Sequence, residues 1–285
     1  MSYIVFNGKL SKREIITIDI EDRGYQFGDG IYEVVRVYNG RLFTWQEHVD
    51  RLFASAEKIR MSIPYTKEEM KTIMESLIEK NQLSEGTIYL QLTRGVAPRN
   101  HAFPANDVKA VLVAYTRQSK RPADLMERGV DALVVPDKRW LHCDIKSLNL
   151  LGNVLAHQEA LDAGCYEAIL HRDGIITEGS HTNVSIVSNG TVYTHPANNL
   201  ILNGISRMVM LKACESKSIP HEEKAFTVDD LSHADEVFIT STTLEITPVR
   251  MINGQPVGSG DRYPIIRKLQ DAFIQEIEAE CGPLH

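Results

Sequence analysis

The four cysteines, Cys143, Cys165, Cys214 and Cys281, are scattered and contain no CxxC pair, so they suggest neither a zinc site nor a disulfide framework. No metal is expected. The first residues lack a basic segment followed by a long apolar stretch, which argues against a secretory signal. No apolar run reaches the length of a membrane span. With neither feature, a cytoplasmic protein without a membrane partner is the expectation. Excess positive charge is also missing: the formal net charge is -7, which argues against a sequence-independent nucleic-acid binder. Several common functional motifs are absent, namely GxGxxG after a strand, GxxxxGK[ST] and HExxH. His171-Arg172-Asp173 lacks the rest of a kinase set and reads as part of a turn. There is no internal repeat or low-complexity segment.

What remains is an ordinary globular balance. The 285 residues are 43% hydrophobic and 24% charged, enough for a large core that needs no covalent staple. Asn-Gly or Asp-Gly pairs recur between short β-rich runs, at 7–8, 39–40, 173–174, 189–190 and 253–254. Both residue types tolerate positive φ, so each pair predicts a tight hairpin and the sheets should be antiparallel or mixed. Thr44 with Glu47 and Thr66 with Glu69 predict capping boxes for helices over 45–59 and 67–81. In the first helix Val49, Leu52, Phe53, Ala56 and Ile59 share a face, with Arg51 beside it. Strands are expected over 87–94, 108–116 and 130–135, and helices near 150–163, after Gly204 and over 263–279. The polar stretch 117–122 ends in proline and reads as a linker. The expectation is two domains, 1–118 and 119–285, in an α+β chain.

Three segments could carry chemistry. Lys146 lies among apolar residues in Asp144-Ile-Lys146-Ser-Leu-Asn149, just before a helix. Such a lysine is usually a snorkelling surface group; the alternative is one desolvated enough to form an imine with a carbonyl cofactor. Glu178 follows a hairpin strand and precedes Gly179-Ser180-His181-Thr182-Asn183. It is either an exposed acid in a polar loop or a carboxylate that keeps a heteroaromatic nitrogen protonated. Gly204-Ile205-Ser206 is either a plain helix start or an anion site on outward-pointing amides. The run 240–243 could add hydroxyls at a strand end.

Taken together and in this order, these segments resemble the fold-type IV pyridoxal-phosphate enzymes. That group holds D-amino acid aminotransferases, branched-chain aminotransferases and aminodeoxychorismate lyases. The likeness to the D-amino acid aminotransferases spans almost the whole chain and rests on stretches 21–30, 143–152, 240–243 and 245–248. It implies a smaller N-terminal α/β sandwich and a larger C-terminal α/β barrel-like domain that carries pyridoxal 5'-phosphate. It implies that Lys146 holds the cofactor as a Schiff base and shuttles a proton. Glu178 would pair with the pyridine nitrogen. Arg51 would bind the phosphate, with the Ile205 amide, Ser206 and Thr242, and Leu202 would pack on the ring.

The stretch 94–104 resembles the carboxylate trap of the D-specific enzymes. Tyr32, Arg99 and His101 would hold the substrate carboxylate, with Arg99 and His101 reaching a neighbouring subunit of a homodimer. Trp140 and His48 resemble further pocket residues. His181 stands where the similar enzymes carry a serine run, which bears on substrate range. The implied reaction passes an amino group from a D-amino acid such as D-alanine to a 2-oxo acid such as 2-oxoglutarate, giving pyruvate and D-glutamate. A branched-chain L-aminotransferase, an aminodeoxychorismate lyase and a non-catalytic cofactor-binding protein are the alternatives.

Overall fold

A computed structural model describes residues 2–259 and 262–284. The chain forms two compact units: residues 1–120, 145–149 and 279–285 make the first, and 121–144 with 150–278 make the second.

The first unit contains β1 (Tyr3–Phe6), β2 (Lys9–Lys12), α1 (Arg23–Phe27), β3 (Gly30–Tyr38), β4 (Arg41–Leu42), α2 (Trp45–Lys58), α3 (Lys67–Asn81), β5 (Gly86–Thr93) and β6 (Val111–Gln118). Its six strands form one antiparallel sheet in the order β2-β1-β6-β5-β3-β4. Side chains alternate across a strand, so Ile31, Glu33, Val35 and Val37 share one face of β3 while Tyr32 points to the other. The apolar members of the first set pack in a core with Leu52 and Ala56 of α2 and Met70, Met74 and Leu77 of α3. Burying each such side chain contributes roughly 1.5–3 kcal/mol. Glu33 is the charged exception on that face, only 1% exposed.

The second unit contains α4 (Ala123–Arg128), β7 (Val130–Pro136), α5 (Leu151–Asp162), β8 (Glu167–Arg172), β9 (Ile175–Gly179), β10 (Asn183–Ser188), β11 (Thr191–Thr194), α6 (Ile205–Ser216), β12 (His221–Glu223), α7 (Val228–Ser232), β13 (Glu236–Ser241), β14 (Glu245–Ile252), β15 (Gln255–Pro256) and most of α8 (Pro264–Cys281). Its nine strands form one mixed sheet, β12-β11-β10-β13-β14-β7-β8-β9, with β15 beside β14. The pairs β7–β8, β7–β14 and β11–β12 are parallel. Val184, Ile186, Val237, Ile239 and Val249 line its main core.

The α+β class expected from the sequence is the one observed. All five Asn-Gly or Asp-Gly pairs form two-residue hairpin turns, each first residue at φ between 48° and 50°. The Thr66–Glu69 capping box is present in both directions. The Thr44–Glu47 box does not form. Thr44 sits at φ 52°, its hydroxyl donates to the Phe43 carbonyl, and its amide is taken by the Glu280 carboxylate at 2.9 Å. On α2 the buried face runs through His48, Val49, Leu52, Ser55 and Ala56, with Phe53 and Ile59 only half-buried.

Candidate functional site

In the first unit, residues 145–149 run along the free edge of β3. The Tyr32 amide donates to the Lys146 carbonyl at 3.0 Å, the Leu148 amide donates to the Gly30 carbonyl at 3.0 Å, and Ser147 bridges Ile31. Lys146 is half-buried, with Nζ 4.3 Å from the centroid of the Tyr32 ring. That ring stacks in turn on Tyr89 at 5.7 Å.

α2 supplies the rest of this cluster. His48, Arg51 and Ser55 are spaced by three and four residues and lie on one helix face. Ser55 Oγ accepts from the Lys146 amide at 3.2 Å. Arg51 grips Glu33 with two bonds, Nε to Oε1 at 2.7 Å and Nη2 to Oε2 at 2.8 Å. The planar guanidinium fork matches a carboxylate in this way, and Glu33 takes two of its five N–H donors. His48 Nδ1 lies 2.7 Å from Glu33 Oε2. Burial works against the Glu33 charge, but Arg51 and His48 hold its carboxyl well below the usual range. Burial pushes His48 down from its ordinary value, with Arg51 and Lys146 adding to that and Glu33 opposing it. We therefore take His48 as neutral at pH 7, donating Nδ1–H, while Arg51 supplies the counter-charge.

Arg99 and His101 are exposed and gather on Phe27: the Arg99 guanidinium lies 4.7 Å from its ring centroid, and the His101 ring 5.6 Å away. The loop that bears them is anchored by Arg23, whose Nη1 donates to the Asn100 carbonyl at 2.7 Å and whose Nε donates to Asp29 at 2.8 Å.

In the second unit the centre is Glu178 on β9, 5% exposed. Its Oε1 accepts from Arg139 Nη1 at 2.5 Å, and its Oε2 accepts from Asn183 Nδ2 and from the Leu202 amide, each at 3.0 Å. Asn183 also donates to the Leu202 carbonyl at 2.8 Å, so it ties β10 to the 200–204 loop. Arg139 is shared with Asp137, through Nη2 at 2.8 Å and Nε at 3.0 Å, and Arg172 supports Asp137 at 3.1 Å. Burial opposes the Asp137 charge, but the two arginines hold its carboxyl down to about 2. Burial pushes Glu178 up to about 7 despite the ion pair with Arg139 and the Leu202 amide. Both observations describe one group: an anion held by three donors, yet so dehydrated that its charge is weakly held. A second positive neighbour would fix it as a carboxylate.

Gly204 precedes α6 without any side-chain cap, which leaves the first-turn amides of Ile205 and Ser206 as an anion-binding end. A Cβ at position 204 would fall 2.0 Å from Asn183 Oδ1, so any larger residue there must displace the Asn183 side chain. Ser206 is buried, and Thr242 is half-buried in the turn after β13. The nearby Thr240 Oγ1, on β13 opposite Asn183, is buried without a hydrogen-bond partner among the described residues. Cys143 is no nucleophile candidate, because burial raises its thiol to about 11. Trp140 is exposed and packs edge-on against His142.

These residues fit pyridoxal 5'-phosphate. A buried carboxylate whose charge a second cation would fix suits a protonated ring nitrogen, and the uncapped α6 end with the Ser206 side chain suits a phosphate. From the sequence, Glu33, Ser55, Arg139 and Asp137 carried no expected role, and Asn183 stood only as a polar residue of the stretch after Glu178. The usable signal for Glu33 was a charge on the apolar face of a strand that reads Gly30-Ile-Tyr-Glu33-Val-Val.

Comparison with known proteins follows the same lines. Residues 30–252 match the amino-transferase class IV family. The D-alanine aminotransferase of Listeria monocytogenes is 51% identical over 283 residues, 99% of this chain and 98% of that one. That of Bacillus licheniformis is 49% identical over 279 residues, 98% of each. The branched-chain amino acid aminotransferase of Escherichia coli superposes with a TM-score of 0.92 at 28% identity, covering 96% of this chain and 94% of its own.

Proposed function

We infer that this chain, which belongs to the class IV aminotransferases, transfers an amino group between a D-amino acid and a 2-oxo acid. D-alanine with 2-oxoglutarate, giving pyruvate and D-glutamate, is the representative pair. The observation that carries the reading is about half identity, end to end, with D-alanine aminotransferases. The branched-chain enzymes share the fold at much lower identity.

Pyridoxal 5'-phosphate is the cofactor we assign, and when bound it draws off the electrons released as the substrate Cα–H bond breaks. Lys146 supplies the amine that holds it, and Nζ then moves the Cα proton as general base and acid, a task typically contributing ~10²–10⁴-fold in rate. Tyr32 and Ser55 fix that amine's position, one by its ring and one by the Lys146 amide. Glu178 keeps the ring nitrogen protonated, because an anion beside it favours the charged form. Arg51, the amides of Ile205 and Ser206, the Ser206 hydroxyl and Thr242 bind the phosphate, and Leu202 packs on the ring.

Tyr32 holds the substrate carboxylate together with Arg99 and His101, which we assign to the neighbouring subunit's site. Their exposure on a loop anchored through Arg23 supports that reading. A second copy would also explain the apolar stripe on α5, where Leu151, Val154 and Leu155 are 72%, 58% and 62% exposed. We further propose that the chain works as two domains, 1–118 and 119–285.

The test is a half-reaction with purified holoenzyme and no oxo acid, following the visible absorption band of the bound cofactor, with Lys146→Ala as control. Loss of the band with D-alanine, and not with L-leucine or L-isoleucine, is expected. Loss only with the L-substrates would move the protein to the branched-chain enzymes.

A further inference from the structure

Glu167 opens β8 and is fully buried, 0% exposed. Everything around its carboxyl donates. Oε1 accepts from the Ala168 amide at 2.8 Å, the Ser180 amide at 3.1 Å and the Ser180 hydroxyl. Oε2 accepts from Thr182 Oγ1 at 2.9 Å. Four donors on two oxygens describe an anion, and a buried anion needs a positive partner. Among the described residues no lysine or arginine pairs with it. Two imidazoles do reach it: His181 Nδ1 lies 3.1 Å from Oε2, and His157 Nδ1 lies 3.9 Å from Oε1. The rings stand 4.9 Å apart at 84°.

We propose that His157, Glu167 and His181 form a site for one divalent transition cation, best suited to Zn²⁺. One ligand atom from each lies within 4.8 Å of the other two. Ligands at tetrahedral Zn²⁺ distances stand about 3.3 Å apart, so the His181–Glu167 pair already has that spacing and the His157 ring must close in by up to about 1.5 Å. The donor set, two imidazole nitrogens and one carboxylate oxygen, is one that Zn²⁺ accepts readily. The histidine side chains are 36% and 44% exposed, which gives an entry path and a place for water as fourth ligand. Thr182, Ser180 and the Ala168 amide fix the carboxylate, as supporting hydrogen bonds do at metal sites. Ser180 Oγ also lies 3.3 Å from His157 Nδ1 and 3.1 Å from His181 Nδ1, contacts that a bound cation would replace. A dication would compensate the buried charge with both imidazoles neutral, avoiding two imidazolium ions in ring contact.

No short spacing announces this site. Its ligands come from α5, from the start of β8 and from the turn after β9, ten and fourteen residues apart in the chain. A cation there would tie those elements together next to Glu178.

The test uses chelator-stripped holoenzyme titrated with Zn²⁺ by calorimetry and with Co²⁺ by visible absorption. The control is the His157→Gln/His181→Gln double variant. Both substituted side chains are partly exposed, and circular dichroism checks its fold. Any chelation by the cofactor is common to both proteins and cancels in the difference. Expected are one Zn²⁺ per chain, affinity at least 100-fold weaker in the double variant, and a Zn²⁺-dependent rise in melting temperature in the parent alone. Equal affinity in the two proteins, or no binding by the parent, overturns the proposal. Melting of the parent that Zn²⁺ leaves unchanged, as for a plain imidazolium–carboxylate pair, overturns it too.

Discussion

Nζ of Lys146 lies 4.3 Å from the centre of the Tyr32 ring, while the Tyr32 amide donates to the Lys146 carbonyl at 3.0 Å. The two residues are thus joined twice, once by backbone and once by side chain. The ring and the hydroxyl of Tyr32 then have separable duties. Tyr32→Phe keeps the ring against Lys146 and loses only the hydroxyl. KM for D-alanine should rise ~10–100-fold, the worth of a hydrogen bond to a charged group, with kcat changed little. Steady-state kinetics decide this, and a fall in kcat at constant KM would contradict the carboxylate role.

Glu178→Gln should leave the cofactor bound, because Gln can keep some of the contacts with Asn183, Leu202 and Arg139. Turnover should fall about 100-fold or more, as when one aimed electrostatic group is removed from a site. The readout is single-turnover loss of the cofactor band with D-alanine. An unchanged rate would remove Glu178 from the assignment.

The same carboxyl predicts a pH dependence in the cofactor-free protein. Its folded pKa, about 7, lies above the ordinary 4.5. Between these values the folded state binds more protons than the unfolded state, so stability falls as pH rises from 4.5 to 7 and levels off above. The full swing is about 3 kcal/mol. Urea denaturation across this range should show the slope in the parent and lose it in Glu178→Gln. Identical slopes in both proteins would rule the carboxyl out as its source.

Glu33 carries the opposite sign. Its folded carboxyl is held below 4.5, so its stabilisation is present above 4.5 and is lost as pH falls below it. Glu33→Ala strands Arg51 and His48 in the core and should cost about 3–5 kcal/mol at pH 7, as for one broken partner of a buried ion pair. Cofactor affinity should fall with it, since Arg51 loses the group that aims it. Chemical denaturation and cofactor titration of the same variant read both effects, and wild-type values in either would contradict the link.

Gly204→Ala places a methyl 2.0 Å from Asn183 Oδ1. Asn183 must then leave Glu178 or Leu202, and cofactor dissociation should quicken ~10-fold, about the value of one charge-assisted hydrogen bond. Stopped-flow exchange of the cofactor measures it. If Asn183→Ala changes the rate while Gly204→Ala does not, the crowding argument fails.

The parts of this fold that were legible in the sequence are the local ones. Asn7-Gly8 and its four counterparts make hairpins because two adjacent residues at positive φ suffice, whatever surrounds them. Thr66 caps α3 through contacts only three residues away. Thr44, with the same spacing to Glu47, failed because a carboxylate from position 280 claimed its amide. For Lys146, Glu178 and Arg51 a role was suggested only through resemblance, their own sequence surroundings being compatible with surface groups. The partners that tune them were hidden for a different reason. Glu33 meets Arg51 across 18 residues and Arg139 meets Glu178 across 39, separations that carry no periodic signal.

Residues 145–149 belong to the first unit although the chain on both sides of them belongs to the second, and residues 279–285 return to the first unit as well. Asn39 donates to the carbonyls of 281, 282 and 283, and the Thr44 amide waits for Glu280. On the ribosome, then, the first unit gains these two segments only after much of the second has been made. Lys146 cannot reach β3 until more than a hundred residues beyond that strand have been made, and the turn before α2 is secured only by Glu280. Closing so long a loop is slow more than it is costly. A nascent chain that has not yet reached residues 146 and 280 would therefore lack a settled Lys146 edge and α2 entry.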